Sequence, residues 1–241
     1  MLAAPFDRIA ESYDAAWTST AAGTNQRDAV WRVLDKLFAG GCHILDVGCG
    51  TGADAVHLIS RGVRVTAIDP SAAMVSIACA KGIDARQIAI EELDGSFDGA
   101  MSNFGALNCV EDLAATGREL ARLIRPSGHL AICLIARFCL RETLHFLRLG
   151  QARKAVRRWR GRAASSLGLT VHYPTVRRVV RSLSPHFTLQ SRTGIGLLVP
   201  PSYITQSDDA IARLSRIDQH IAHWPVMRAA ADHHLLVFRR N

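Results

Sequence analysis

The stretch that most constrains this chain is Ile44 to Ala55, which reads Ile-Leu-Asp-Val-Gly-Cys-Gly-Thr-Gly-Ala-Asp-Ala. An apolar run, Ile44 and Leu45 with Val47, stops in Gly48, Gly50 and Gly52, and helix-compatible residues follow from Ala53 to Ser60. The glycines therefore sit where a strand turns into a helix. Glycine suits that turn because it accepts φ values other residues avoid, and because a bare backbone lets a ligand approach the main chain. Asp46 adds a carboxylate at the strand's carboxyl end. Val63 to Ile68 form a second β-branched run ending in Asp69, a suitable distance on for an acid to meet ribose hydroxyls. Two strands with a helix between them make one βαβ unit, so a doubly wound α/β fold is expected. Taken alone, Gly48, Gly50 and Ala53 also satisfy the G-x-G-x-x-G/A pattern of dinucleotide binders, which leaves a nicotinamide enzyme and a simple tight turn as rivals.

Together the two runs resemble the class I S-adenosylmethionine-dependent methyltransferases of the small-molecule type. The first motif of that family looks like Asp46-Val47-Gly48-Cys49-Gly50-Thr51-Gly52, and the second like Ala67-Ile68-Asp69-Pro70-Ser71. The resemblance covers Phe6 to Ala136. It implies a Rossmann-like, seven-stranded, mostly parallel sheet with an antiparallel C-terminal strand, and S-adenosylmethionine as cofactor. It also implies that Gly48, Gly50 and Gly52 pass under the methionine part of the cofactor and that Asp69 binds its ribose. Cofactor contacts are expected from Tyr13, Asp46, Gly48, Cys49, Gly50, Gly52, Asp69, Pro70, Ser71, Met74, Ile90, Glu91, Asn103 and Phe104.

At 241 residues, without a Pro/Ser-rich linker, the chain is expected to form one domain, 1–241. No apolar stretch is long enough to span a bilayer, and Met1 to Arg8 does not read as a secretory signal, so a cytoplasmic location is expected. Six scattered cysteines without a C-x-x-C pair read as reduced packing residues. The net charge is +8, much of it between Arg137 and Arg162. Nucleic acid or an acidic carrier protein could meet such a patch, although a small-molecule acceptor is the favoured partner.

In chain order, Phe6 to Trp17 places Phe6, Ile9, Ala10 and Tyr13 on one helical face, and the resemblance makes Tyr13 a cofactor lid. Asn25 to Phe38 is a stronger helix, closed by Gly40-Gly41. Ser71 caps a helix through Ala80, and Ala85 to Ile90 reads as a strand. The family commonly has an Asp-Ala-Glu-x-Leu-like sequence next, touching adenine. Here Ala89 replaces the acid, leaving Ile90 and Glu91 as the contacts. Phe97 to Ser102 reads as strand four, with Asn103 to Asn108 at the edge where such sheets bind ligands. The Asp/Asn-Pro-Pro-Tyr/Phe of amino-methyltransferases acting on nucleic acid is missing there. Glu111 to Arg125 reads as a helix, Leu130 to Ile135 as a strand, and Ser127 stands where the family more often has Gly.

Arg137 to Arg162 reads as one basic, partly amphipathic helical segment, by default solvated surface. His172 opens a helix through Leu183, Phe187 to Gly196 is strand six, and His233 to Arg239 is the last strand. A helix is expected from Asp208 to His223. The insertions 137–185 and 197–232 are expected to cap the acceptor, with Tyr203 in the Pro200-Pro201-Ser202-Tyr203 loop. An oxygen acceptor such as a phenol needs a base, for which His145, His172 and Tyr173 are candidates, whereas a carboxylate needs none. His220-x-x-His223 and His233-His234 lack partner ligands, so no metal is expected. The function expected is methyl transfer to O or N of a small molecule. Alternatives are an RNA or carrier-bound acceptor reached through the basic segment, or cofactor binding without transfer.

Overall fold

A computed structural model describes residues 4–241. The lead-in winds through a 3-10 turn at Pro5–Ile9, a helix α1 at Ala10–Tyr13, and a π-helical turn at Asp14–Thr18. It is not the continuous helix that the spacing predicts. Helix α2, Ala21–Leu37, starts four residues earlier than expected because the Thr20 side chain accepts from Gly23 N.

From there strands and helices alternate. They are β1 His43–Val47, α3 Ala53–Ser60, β2 Arg64–Ile68, α4 Ala72–Ala80, β3 Asp84–Arg86, β4 Phe97–Ser102, α5 Leu113–Leu123 and β5 Ile124–Ile135. The strand expected over Ala85 to Ile90 shrinks to β3, and Ile90–Glu92 form a 3-10 turn instead. Helix α5 starts later than the spacing suggests, because the Asp112 carboxylate accepts from Ala114 N and Ala115 N and fixes the cap there.

The basic segment is not one helix. It breaks into α6 Leu140–Arg148, α7 Ala152–Ala155 and a 3-10 turn at Arg158–Arg160, then runs into a hairpin of β6 Arg162–Ala164 and β7 Thr170–His172. Glycines at 150 and 161, both with positive φ, end two of these pieces. The hairpin has no period-2 signal long enough to read in sequence. Helix α8, Val176–Leu183, begins after the Thr175 cap rather than at His172. Strand β8 Phe187–Ile195, α9 Asp208–Ile221, a short α10 Pro225–Ala229 and β9 His233–Arg240 complete the chain.

The main sheet has the order β3-β2-β1-β4-β5-β9-β8. Pairs among β1 to β5 are parallel, and β9 lies antiparallel between β5 and β8. Side chains alternate along each strand, so both faces must be covered. Ile44 joins a cluster with Val30 and Leu34 of α2 and Leu58 of α3, while Leu45 joins one with Leu120 and Leu123 of α5 and Leu183 of α8. Full burial of each such side chain contributes roughly 1.5–3 kcal/mol. The strand order reverses between β1 and β4, and there the helices leave to opposite faces, opening a crevice beyond the strand ends.

Candidate functional site

The glycine loop is tied to the end of β2 by Gly48 N and Cys49 N, which donate to Ile68 O at 2.8 and 3.1 Å. The three glycines have different jobs. A Cβ on Gly48 would lie 2.3 Å from Ala106 Cβ, and one on Gly52 would lie 2.1 Å from Ile83 Cδ1, so both are needed for packing. A Cβ on Gly50 meets nothing within 4 Å and points into open space. Only Gly50 leaves room for something other than protein.

That space is a chamber of about 470 Å³. Tyr13, Gly48, Gly50, Asp69, Pro70, Ser71, Met74, Asn103 and Phe104 all line it, so nine of the expected cofactor residues come together. Ile90 and Glu91 line an adjoining groove of about 440 Å³ that shares Gly48, Asp69 and Pro70 with the chamber. Three residues line neither space: Asp46 is buried at the end of β1, Cys49 turns its thiol toward Gly50 O, and Gly52 caps α3.

Asp69 lies where chamber and groove meet. Its Oδ2 accepts from Gly50 N and its Oδ1 from Ser71 N, each at 2.9 Å. Burial pushes its pKa up, and the two N–H groups act in the other direction without cancelling that rise. Each oxygen keeps a lone pair for a hydroxyl donor.

Two carboxylates that sequence reasoning missed fasten the lead-in over this chamber. Asp7 accepts from Ser71 Oγ at 2.5 Å and from Ala73 N at 3.2 Å, at the start of α4. Asp14 accepts from Thr51 Oγ1 at 2.6 Å and from Lys81 Nζ at 2.8 Å. Burial raises the Asp14 pKa, but its bonds from Lys81 and Thr51 outweigh that and hold it below the usual carboxylate range. Tyr13 lies between these two fasteners and faces the chamber.

At the carboxyl ends of β1 and β4 lies a buried polar cluster. Arg27 Nη1 pairs with Asp54 Oδ1 at 2.7 Å, Trp31 Nε1 donates to the same oxygen, and Asn103 Nδ2 donates to Asp54 Oδ2 at 3.1 Å. The Arg27 guanidinium also stacks on Trp17 and Phe104, 4.4 and 5.0 Å from their ring centres. Asp46 Oδ2 and Asn103 Oδ1 are buried with no partner, and burial pushes the Asp46 pKa well up. Unsatisfied buried acceptors are costly, so they mark a place for a donor such as an ammonium group. Arg27 was legible, since it shares an inward stripe with Val30 and Leu34 in the predicted helix.

The far wall of the chamber is apolar: Leu107, Val110 and Ile135, with Leu169 and Val171 from the β6–β7 hairpin. Beside it, sharing Leu107 and Val110, lies an annex of about 80 Å³ lined by His172 and Tyr173. His145 lines neither; it packs edge-on against Phe146, 5.2 Å between ring centres. Tyr203 does not reach the chamber either. Its hydroxyl donates to the buried Glu142, which also pairs with Arg157 and Arg158. Arg158 is buried, with a second partner in Asp232 at 2.9 Å, so part of the basic segment is an internal ionic knot and not solvated surface. Burial works against its charge, but Asp232 and Glu142 outweigh that and raise its pKa well above the usual range.

Among the described residues no cluster of three or more His, Cys, Asp or Glu is placed to hold a metal ion, and no helix is long and apolar enough to cross a membrane. The chain matches the methyltransferase-domain family model over residues 45–132. It is 32% identical over 203 residues to the malonyl-[acyl-carrier protein] O-methyltransferase of Serratia marcescens, covering 76% of each chain. It is also 31% identical over 140 residues to the demethylmenaquinone methyltransferase of Mycolicibacterium gilvum, a match spanning 55% of this chain and only 59% of that protein. In structure it resembles an S-adenosylmethionine-dependent methyltransferase from Mesorhizobium loti, with a TM-score of 0.60 at 20% identity over 88% of this chain and 98% of the other. The resemblance drawn from the two motifs thus holds across the fold, and the chain belongs to the class I S-adenosylmethionine-dependent methyltransferases, with S-adenosylmethionine as its cofactor.

Proposed function

We propose that the protein transfers a methyl group from S-adenosylmethionine to O or N of a small, largely apolar molecule held against Leu107, Val110, Ile135, Leu169 and Val171. The observation that carries this reading is the single chamber, with Gly50 and Asp69 at one end and that apolar wall at the other. In this reading Asp69 binds the ribose and Ile90 and Glu91 flank the adenine. The unpartnered acceptor Asn103 Oδ1, on a residue that lines the chamber, fits the amino group of the methionine part, and Tyr13 covers it. The β6–β7 hairpin of the first insertion caps the acceptor in this reading, whereas no residue of 197–232, the other expected cap segment, lines the chamber. The relative named for demethylmenaquinone supports an acceptor of this class, whereas the one named for malonyl-[acyl-carrier protein] supports the alternative of a carrier-bound acceptor.

The cofactor supplies an electrophilic methyl group on a sulfonium. The chain's task is to align the nucleophile and exclude water. The titratable side chains that line the chamber are Tyr13, Asp69 and Cys109. Burial raises the pKa of Tyr13 and Cys109, so both keep their protons near neutral pH. Such a chamber suits an acceptor that needs no base, such as a carboxylate, an acidic phenol or a neutral amine. Of the three candidate bases, His172 and Tyr173 border the acceptor end through the annex, and burial raises the Tyr173 pKa. His172 is therefore the base to test for a less acidic acceptor.

The test incubates the protein with labelled cofactor and fractionated extract and identifies products by mass. Label in a small apolar product supports the reading. Label confined to RNA or protein, or binding of S-adenosylhomocysteine with no transfer to any fraction, refutes it.

A further inference from the structure

The annex next to the apolar wall has a different chemistry from the chamber. Arg137, Arg178 and His172 line it, against one acidic residue, Glu111, and both arginines are exposed. Arg137 is held in place because its Nε and Nη2 donate to Trp159 O at 3.2 and 2.7 Å, and Gly161 leaves the space beside its guanidinium open. Arg178 lies in the first turn of α8, so the positive end of that helix adds to the same field. Annex and chamber lie side by side, with Leu107 and Val110 lining both. At about 80 Å³ against about 470 Å³, the annex has room for a group the size of a carboxylate and not for a second body.

Resting on the chamber as the acceptor site, we propose that the annex is an anion subsite for the acceptor's far end. The acceptor is then an amphiphile, with an apolar skeleton in the chamber and a carboxylate-sized anion between Arg137 and Arg178. The arginines act on binding and selection and do not touch the reacting atoms. Arginine fits this use because its planar fork meets a carboxylate with two parallel N–H donors.

The test uses decanoate and its uncharged counterpart decanol as probes, titrated by calorimetry into protein saturated with S-adenosylhomocysteine. Decanoate should bind at least about tenfold tighter than decanol, as expected of a charge-assisted pair. Arg178→Ala should remove that preference without changing decanol binding, and Arg178→Glu should invert it toward decylamine. Melting temperature and S-adenosylhomocysteine affinity serve as the check that these variants fold. Equal binding of decanoate and decanol to the unaltered protein, or a preference that survives in Arg178→Glu, overturns the subsite and leaves the chamber reading intact. Failure of all three probes to bind while S-adenosylhomocysteine still binds overturns the chamber as the acceptor site, and the subsite with it.

Discussion

Replacing Gly50 and Gly52 with alanine, one at a time, separates ligand space from packing. Both have positive φ, +54° and +81°, so each substitution carries a left-handed backbone cost of about 1–2 kcal/mol. For Gly50 that is the whole folding cost, because its new methyl meets nothing within 4 Å. For Gly52 the methyl would stand 2.1 Å from Ile83 Cδ1 and 3.2 Å from Ala78 Cβ, and such overpacking adds about 1–3 kcal/mol. In a chain of this size about 1 kcal/mol moves Tm by roughly 2–4 °C. Gly50→Ala should therefore melt within about 8 °C of the parent, and Gly52→Ala should fall by up to about 20 °C. Affinity should follow the opposite order. Gly50→Ala, and more so Gly50→Val, should weaken S-adenosylhomocysteine by tenfold or more, about 1.4 kcal/mol, because the side chain fills the space the cofactor uses. Calorimetry at a temperature where both variants are folded decides it. Unchanged affinity in Gly50→Val would place the cofactor elsewhere.

Asp14→Ala removes the fastener between lead-in and glycine loop. If the lead-in is a lid, S-adenosylhomocysteine should leave about fivefold faster, for a loss near 1 kcal/mol, and an unchanged off-rate in stopped flow would make it mere packing. Arg158→Met removes the arginine partner of buried Asp232 and one of the two arginines on buried Glu142, which keeps Arg157, and should cost about 3–5 kcal/mol, read as a large fall in Tm. Loss of only a degree or two would show that the ionic knot contributes little. His234 is buried beside Arg192, and burial first, then that charge, depresses its pKa to about 3 from an ordinary 6.5. The unfolded chain then binds the extra proton between those values, so stability should fall as pH drops from about 6.5 toward 3. Buried His233 acts in the same direction, while the raised Asp46 and Asp69 oppose it. The slope of Tm against pH should flatten in His234→Gln, and parallel curves would refute the assignment.

The parts of the site that could be read in the chain are those built from local backbone need. A strand ending in three glycines, and a second ending in Asp69, point to a crevice at the strands' carboxyl ends, where such sheets bind ligands. The seven-stranded, mostly parallel sheet and its antiparallel last strand followed from the same resemblance and are present. The parts that were not legible depend on pairs far apart in sequence. Asp7 with Ser71, Asp14 with Lys81, and Arg158 with Asp232 are 64, 67 and 74 residues apart, and no periodicity reports such contacts. Spacing could show that Arg137 to Arg162 is basic, but not that Arg158 turns inward to meet Glu142 while Gly150 and Gly161 break the run.

That inward turn changes what the charge of the segment means. Neutralising Arg153, Lys154, Arg157 and Arg158 together, the obvious test of a basic docking face, would confound two effects. Arg157 and Arg158 hold Glu142, and Arg158 is buried, whereas Arg153 and Lys154 are exposed and make no ion pair among the described residues. The informative variant is therefore Arg153→Ser with Lys154→Ser, which leaves the knot intact. If an acidic macromolecule were the acceptor, that pair would change its binding and salt dependence. In the reading favoured here, a small acceptor held between the apolar wall and the Arg137–Arg178 annex, the pair leaves acceptor kinetics unchanged at every salt concentration. A salt-dependent loss in this variant would transfer specificity from the chamber to the outer face of the cap.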